Sequence, residues 1–192
     1  MTKKARTFGI IAEDKSDVDS ARILIHRIAN NNHIGIKNWV GEGCGRINRK
    51  CLDWSTDLKK RGCSRLILIH DLDRKDLNCL KQKIMESLNP CPIKLHLICI
   101  PIEEFEAWLL SDPEAIKTSM NLKATPNVKS PPETINSPKE HLGELIRRAS
   151  GGEKIYINTD HNTRICEALS IYRTLNRCPS FVPFYNFVKA YC

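Results

Sequence analysis

The run Arg65-Leu66-Ile67-Leu68-Ile69-His70 is apolar at nearly every position and leads without a break into Asp71-Leu72-Asp73. A strand with no polar alternation must be covered on both faces, which points to a parallel sheet between layers of helices. The neighbouring segments fit that frame. Phe8 to Ala12 reads as a buried strand ending at Glu13, and a helix follows with Ser16 as N-cap and Val18, Ala21, Ile25 and Ile28 at helical spacing, up to Asn30-Asn31-Asn32. Ile34 to Val40 is a second strand, ended by Gly41-Glu42-Gly43-Cys44-Gly45. Ile47 to Arg61 is a basic helix stopped by Gly62. After the Asp71 strand come a helix from about Asp76 to Leu88 and a fourth strand from Leu95 to Ile100, ended by Pro101.

The expected fold class is therefore α/β, with a parallel sheet of about four strands flanked by helices and a helical C-terminal extension. Residues 1–112 form the core in this reading and residues 113–192 a Pro-rich loop and helical extension packed on it. Glu103 to Leu110 reads as a short helix, Asp112-Pro113-Glu114 as the cap of another, and 139–149, 162–176 and Phe181 to Tyr191 as closing helices. With 192 residues, 41% hydrophobic and 27% charged, the chain suits one globular domain rather than a disordered one.

Composition also narrows the setting. No apolar run approaches the roughly 20 residues of a membrane span, and the apolar stretch behind the basic N-terminus is too short for a signal peptide. Nine cysteines without a CxxC pair read as reduced, mostly buried thiols, so a cytoplasmic location is expected. The net charge of +8 suits a polyanionic partner, RNA or DNA.

In an open parallel sheet, ligands collect outside the carboxyl ends of the strands. Three of the four strands carry acids to that edge: Glu13, then Asp71 and Asp73, then Glu103, Glu104 and Glu106. Asp71 and Asp73 are two apart, so in extended backbone both leave from one face. Carboxylates within ~4 Å repel by about 4 kcal/mol per pair at an intermediate dielectric. A divalent cation relieves that repulsion, and hard oxygen ligands suit Mg²⁺ or Mn²⁺. Glu104, nearer the strand end, is the favoured additional ligand, with Glu106 second; on a helix the two point about 200° apart, so they do not both face one ion.

A strand ending in Glu13, a helix, and a later apolar strand ending in Asp71-Leu72-Asp73 resemble the Toprim domain of primases, topoisomerases and OLD-type nucleases. The resemblance implies that Asp71 and Asp73 bind Mg²⁺ and that Glu13 transfers a proton or ligates metal. Asp17, four residues after Glu13, matches the acid of the E-G-x-[ST]-[DE] motif, whose glycine is Asp14 here. The blocks Ile100-Pro-Ile-Glu-Glu-Phe-Glu-Ala-Trp-Leu-Leu-Ser-Asp112, Ser130 to Leu142 and Arg177 to Phe187 are similar to a family of small Toprim-like proteins of unknown function. That family includes the second component of the AbiL abortive-infection system, often encoded beside an ABC-type ATPase. Glu103 replaces a histidine common there, and the glutamate pair is kept as Glu104 and Glu106.

The implied function is metal-dependent nuclease activity, as effector of an antiphage or toxin-like system with an ATPase from the same operon as partner. The alternative is a non-catalytic nucleic-acid-binding or regulatory subunit of such a complex. The catalytic candidates are Glu13, Asp71, Asp73 and Glu104, and the metal candidates are these four with Glu106. Arg46, Arg49 and Lys50, in a basic stretch running on to Lys59, Lys60, Arg61 and Arg65, are candidate phosphate contacts, as is Lys139. The Gly41–Gly45 segment lacks the Walker lysine and reads as a place where backbone passes close to the acidic edge.

Overall fold

A computed structural model describes residues 6–41 and 44–192. Four strands, β1 (Thr7–Ala12), β2 (Gly35–Val40), β3 (Arg65–Ile69) and β4 (Leu95–Cys99), form one sheet in the order β2-β1-β3-β4. All three pairings are parallel. The intervening helices are α1 (Lys15–Ala29), α2 (Cys44–Lys60) and α3 (Leu77–Ser87). Residues 42–43, within the glycine-rich segment, lie outside the described residues, as does the basic N-terminal stretch before Arg6.

Strand alternation sorts the core into two layers. Phe8, Ile10, Ala12, Ile67 and Ile69 face α1 and its Val18, Ala21, Leu24 and Ile25. Ile11, Leu66 and Leu68 face α2 and α3 through Ile47, Cys51, Leu58, Leu80 and Ile84. A Cβ at Gly9 would stand 3.0 Å from Leu58 Cδ1, so glycine lets α2 lie close on β1. The eight cysteines at positions other than 44 are all free thiols. Among the described residues, no helix is long and apolar enough to cross a membrane.

The chain beyond β4 adds α4 (Glu106–Leu109), α5 (Pro113–Ser119), a 3₁₀ turn at Pro132–Thr134, α6 (Pro138–Ala149), α7 (Asn158–Ala168), α8 (Ile171–Arg177) and α9 (Phe181–Tyr191). Leu142, Ile146, Ile165, Phe181, Phe184 and Val188 enter the same buried cluster as β1 and α1. Trp108 is fully buried, its rings against Phe105, Phe181 and Phe184. The extension is thus an integral part of the layer covering one sheet face.

Three sequence expectations are corrected here. The N-cap of α1 is Asp14, whose Oδ1 accepts the N–H groups of Ser16 (2.7 Å) and Asp17 (3.2 Å). The helix expected from Glu103 is one turn, Glu106–Leu109, because Glu103 has φ +61°. The helix expected over 162–176 is two, broken at Ser170. There Asp112 Oδ2 takes the Ser170 N–H (2.8 Å), and Asp112 Oδ1 pairs with Arg173 (2.7 Å). Asp112 also caps α5 and is 3% exposed. Asp112→Ala strips the half-buried Ser170 N–H and a half-exposed arginine of their acceptor, so unfolding in urea is expected to show a loss of about 1–3 kcal/mol. A loss under ~0.5 kcal/mol would remove Asp112 as the fastening between α5 and α8.

Candidate active site

The strand order places a topological switch between β1 and β3: β1 leads through α1 to one side, and β2 leads through α2 back across to the other. Ligands of open α/β sheets collect at such a point, outside the strand ends. Glu13 follows β1 there and Asp71 follows β3.

The two acids leave the sheet on opposite faces. Asp71 continues the parity of Ile67 and Ile69, toward α1, and Glu13 continues the parity of Ile11, toward α2 and α3. Extending the pairing of Ile11 with Leu68 by two places sets Glu13 opposite His70. His70, 1% exposed, carries its Nδ1 2.8 Å from both the Asp71 carbonyl oxygen and Glu13 Oε1. The ring N–H is aligned on the carbonyl, and Glu13 Oε1 is left without an aligned donor.

Asp71 Oδ1 is likewise buried and unpartnered. Burial, then the charges of Asp17, Glu106, Glu13 and Asp73, push the Asp71 carboxyl well above the usual range. Burial, then Asp14 and Glu106, do the same to Asp17. Asp17 lies in the first turn of α1, 5% exposed, on the face that also buries Val18 and Ala21. A buried acid amid the apolar positions of an amphipathic helix was the signal for it in the sequence, and Asp17 was read there only as a motif position.

Glu106 completes the set, held by the C-terminal extension. Tyr156 Oη (3.0 Å) and Asn162 Nδ2 (3.2 Å) both donate to its Oε1, and the Tyr156 hydroxyl is shared with the Asn162 side-chain oxygen Oδ1. Burial and the Glu106 charge push the Tyr156 phenol far up, so it remains a donor. Asn158 donates to Asp14 Oδ2 (3.2 Å) and Ser16 Oγ (3.1 Å), closing the extension over the edge. No sequence motif pointed to Tyr156, Asn158 or Asn162.

Glu104 goes elsewhere, contrary to the preference for it over Glu106. Its Oε2 accepts the Lys139 N–H (2.8 Å) and so serves the first turn of α6. Burial raises the Glu104 carboxyl, partly offset by that bond. Asp73 is at the rim, exposed and 3.0 Å from Lys75 Nζ. It does not share the strand face of Asp71, because the chain turns there: Asp73 (φ +50°), Arg74 (+59°) and Glu103 (+61°) are all left-handed. Non-glycine residues in that region cost of order 1 kcal/mol or more each and gather where geometry serves function. Glu103 Oε2 accepts the Arg74 N–H (3.0 Å), which ties the two turns together.

Of the basic candidates, Arg46, Arg49 and Lys50 are exposed on the first half of α2, which starts from the acidic edge. Lys50 pairs with Asp53 (3.1 Å). Lys59, Lys60, Arg61 and Arg65 are at the opposite edge, and Arg65 donates to the Tyr191 carbonyl (2.7 Å). The basic stretch therefore splits, and only its first half adjoins the acids. Lys139 stands beside Glu104 at the start of α6.

Strands β2, β3 and β4 and the acidic edge fall within a family model for a domain of unknown function, DUF4276, which matches residues 12–189. The chain belongs to the DUF4276 family. No curated protein and no solved structure matches it. The DUF4276 match takes in Glu13, Asp17, Asp71, Glu106, Tyr156 and Asn162, so the strand-end acids and the helices that hold them belong to one family unit.

The donor set suits a hard divalent cation. Asp71 Oδ1 is a buried oxygen in need of a partner, Glu13 Oε1 has only the misaligned His70 Nδ1 beside it, and burying carboxylate charge without compensation is costly. Among the described residues no three such side chains stand as a preformed ligand set. The charges of Asp17, Glu106 and Glu13 are close enough to raise the Asp71 carboxyl, and side-chain rotation toward Asp71 is what coordination would require.

Proposed function

We propose that this chain is a Mg²⁺- or Mn²⁺-dependent nuclease of Toprim type, cleaving phosphodiester bonds of RNA or DNA. The observation that carries the reading is Asp71: a half-buried residue whose Oδ1 is buried without a partner, at the switch point, among Asp17, Glu13 and Glu106. Asp71, Glu13 and Glu106 would hold the metal, with Asp17 behind them and Asp73 at the rim. When bound, Mg²⁺ or Mn²⁺ supplies polarisation of the phosphate and a water acidic enough to attack. Glu13 Oε1 accepts a proton or joins the ligands. Arg46, Arg49, Lys50 and Lys139 give the polyanion its phosphate contacts. The resemblance to the AbiL-associated family supports a role as effector of an antiphage system beside an ABC-type ATPase.

Calorimetric titration with Mn²⁺ tests the ligand set. Glu106→Gln is expected to weaken binding at least tenfold, whereas Glu104→Gln leaves it within about twofold, since Glu104 serves α6. Equal effects of the two variants would remove Glu106 from the site, and no Mn²⁺ binding by the unaltered protein at millimolar concentration would remove the metal.

A further inference from the structure

The register that pairs Trp39 with Ile11 puts its side chain on the α2 face of β2, an edge strand of the sheet. There it stacks on Trp54 of α2, with ring centroids 5.8 Å apart and planes inclined by 8°. Trp54 is 7% exposed and Trp39 37%, so Trp39 is the outer ring of the pair. Its Nε1–H donates to Asp57 Oδ2 (2.9 Å), which fixes the rotation of the ring. That N–H, ahead of Arg61, holds the Asp57 carboxyl below the usual carboxylate range, so the acceptor stays ionised at neutral pH. An aromatic face open to water, yet held flat by a ring beneath and a hydrogen bond at its edge, is preorganised for a third ring. Cations run along the same stripe. Arg46 and Lys50 precede Trp54 by eight and four places, toward the acidic edge, and Arg61 follows it by seven. Lys37, on the strand face of Trp39, donates to the Arg61 carbonyl. Lys50 pairs with Asp53 (3.1 Å) and Arg61 with Asp57 (3.3 Å), so four cations face two acids and the stripe stays positive. Trp39 thus lies between the two halves of the basic stretch.

We infer that the outer face of Trp39 stacks a base of single-stranded nucleic acid whose backbone follows α2 from the acidic edge toward Arg61. Aromatic platforms flanked by cations are the common device for holding single strands, because every base has a face to stack and every phosphate a charge to match. A duplex keeps its base faces covered and offers the ring nothing. An acidic peptide matches the cations but makes no use of a flat ring. The inference rests on the nucleic-acid reading above and names the strand form of the substrate; its readout is binding without metal, so it fails or stands separately from cleavage.

The test titrates the full chain, in EDTA at low salt, with oligo(dT), oligo(U), a DNA duplex and polyglutamate, followed by tryptophan emission and anisotropy. Trp108 is fully buried, so of the three tryptophans the Trp39–Trp54 pair reports contact. At least one single strand is expected to quench the emission and to bind at least fivefold more tightly than polyglutamate. Trp39→Leu, which removes the ring, is expected to weaken that strand at least fivefold, whereas Trp39→Tyr, which keeps one, stays within about twofold. Duplex binding should be the same in both variants, and circular dichroism unchanged. Equal single-strand affinity of the Leu and Tyr variants, emission unaltered on binding, polyglutamate binding as tightly, or no single-strand binding at 100 μM would each overturn the inference. Metal-dependent cleavage with binding indifferent to Trp39 would sink this inference alone, and Trp39-dependent binding without cleavage would sink the nuclease reading alone.

Discussion

Asp71→Asn is expected to lower metal-dependent cleavage at least a thousandfold and, in the same protein without metal, to raise the melting temperature. Loss of a carboxylate would remove the proposed ligand at the centre of the cluster, a change that metal-site activities rarely survive. Stability moves the other way because Asp71 is repelled by Asp17, Glu106, Glu13 and Asp73 when all are ionised. An amide of the same shape ends that repulsion. For a domain of this size each kcal/mol recovered appears as about 2–4 °C. A variant that loses activity and also melts several degrees lower would mean that Asp71 is a structural residue. One that cuts as fast as the native chain would show that the cluster is not where the chemistry happens.

The second expectation concerns pH. Asp17 and Asp71 have folded-state pKa values raised above those of the unfolded chain. Between the two values the native state binds more protons, so stability is highest below the unfolded pKa, about 4, and falls as pH rises through the folded values. Each extra proton held by the native state gives a slope of about 1.4 kcal/mol per pH unit. Metal-free melting temperatures should therefore decline from about pH 4 upward, and Asp71→Asn should flatten the decline. Mg²⁺ competes with those protons, so its stabilising effect should grow with pH. Melting curves from pH 4 to 8, with EDTA or Mg²⁺, measure both. Native and Asp71→Asn profiles running parallel would contradict the shared titration.

The sheet was legible because β3 has no polar alternation and because acids close the strands; the periodicities that reveal such elements are local. Asp71 and Glu13 followed from the same local pattern. What was not legible depends on partners far along the chain. Glu106 is held at the acidic edge by Tyr156 and Asn162, 50 and 56 residues onward, while Glu104 is drawn to the start of α6. The break at Ser170 depends on Asp112, 58 residues earlier. Asp73 departs from the strand face because two left-handed residues, Asp73 and Arg74, turn the chain, and neither is the glycine that would have marked the turn. The pairing of His70 with Glu13 was within reach of strand parity, but it requires knowing that β1 and β3 are neighbours.

The central claim, that the acidic edge of this sheet cleaves nucleic acid with a divalent cation, is tested most directly by turnover. The native protein and Asp71→Asn would be incubated with tRNA, single-stranded RNA, and linear and supercoiled DNA. Each reaction would run in Mg²⁺, Mn²⁺ or EDTA, with and without an ABC-type ATPase of the kind proposed as partner. The account predicts cleavage of at least one substrate by the native protein in Mg²⁺ or Mn²⁺, none in EDTA, and none by Asp71→Asn. Intact substrates in every reaction with the native protein and its partner, or cleavage that persists in EDTA, would contradict it.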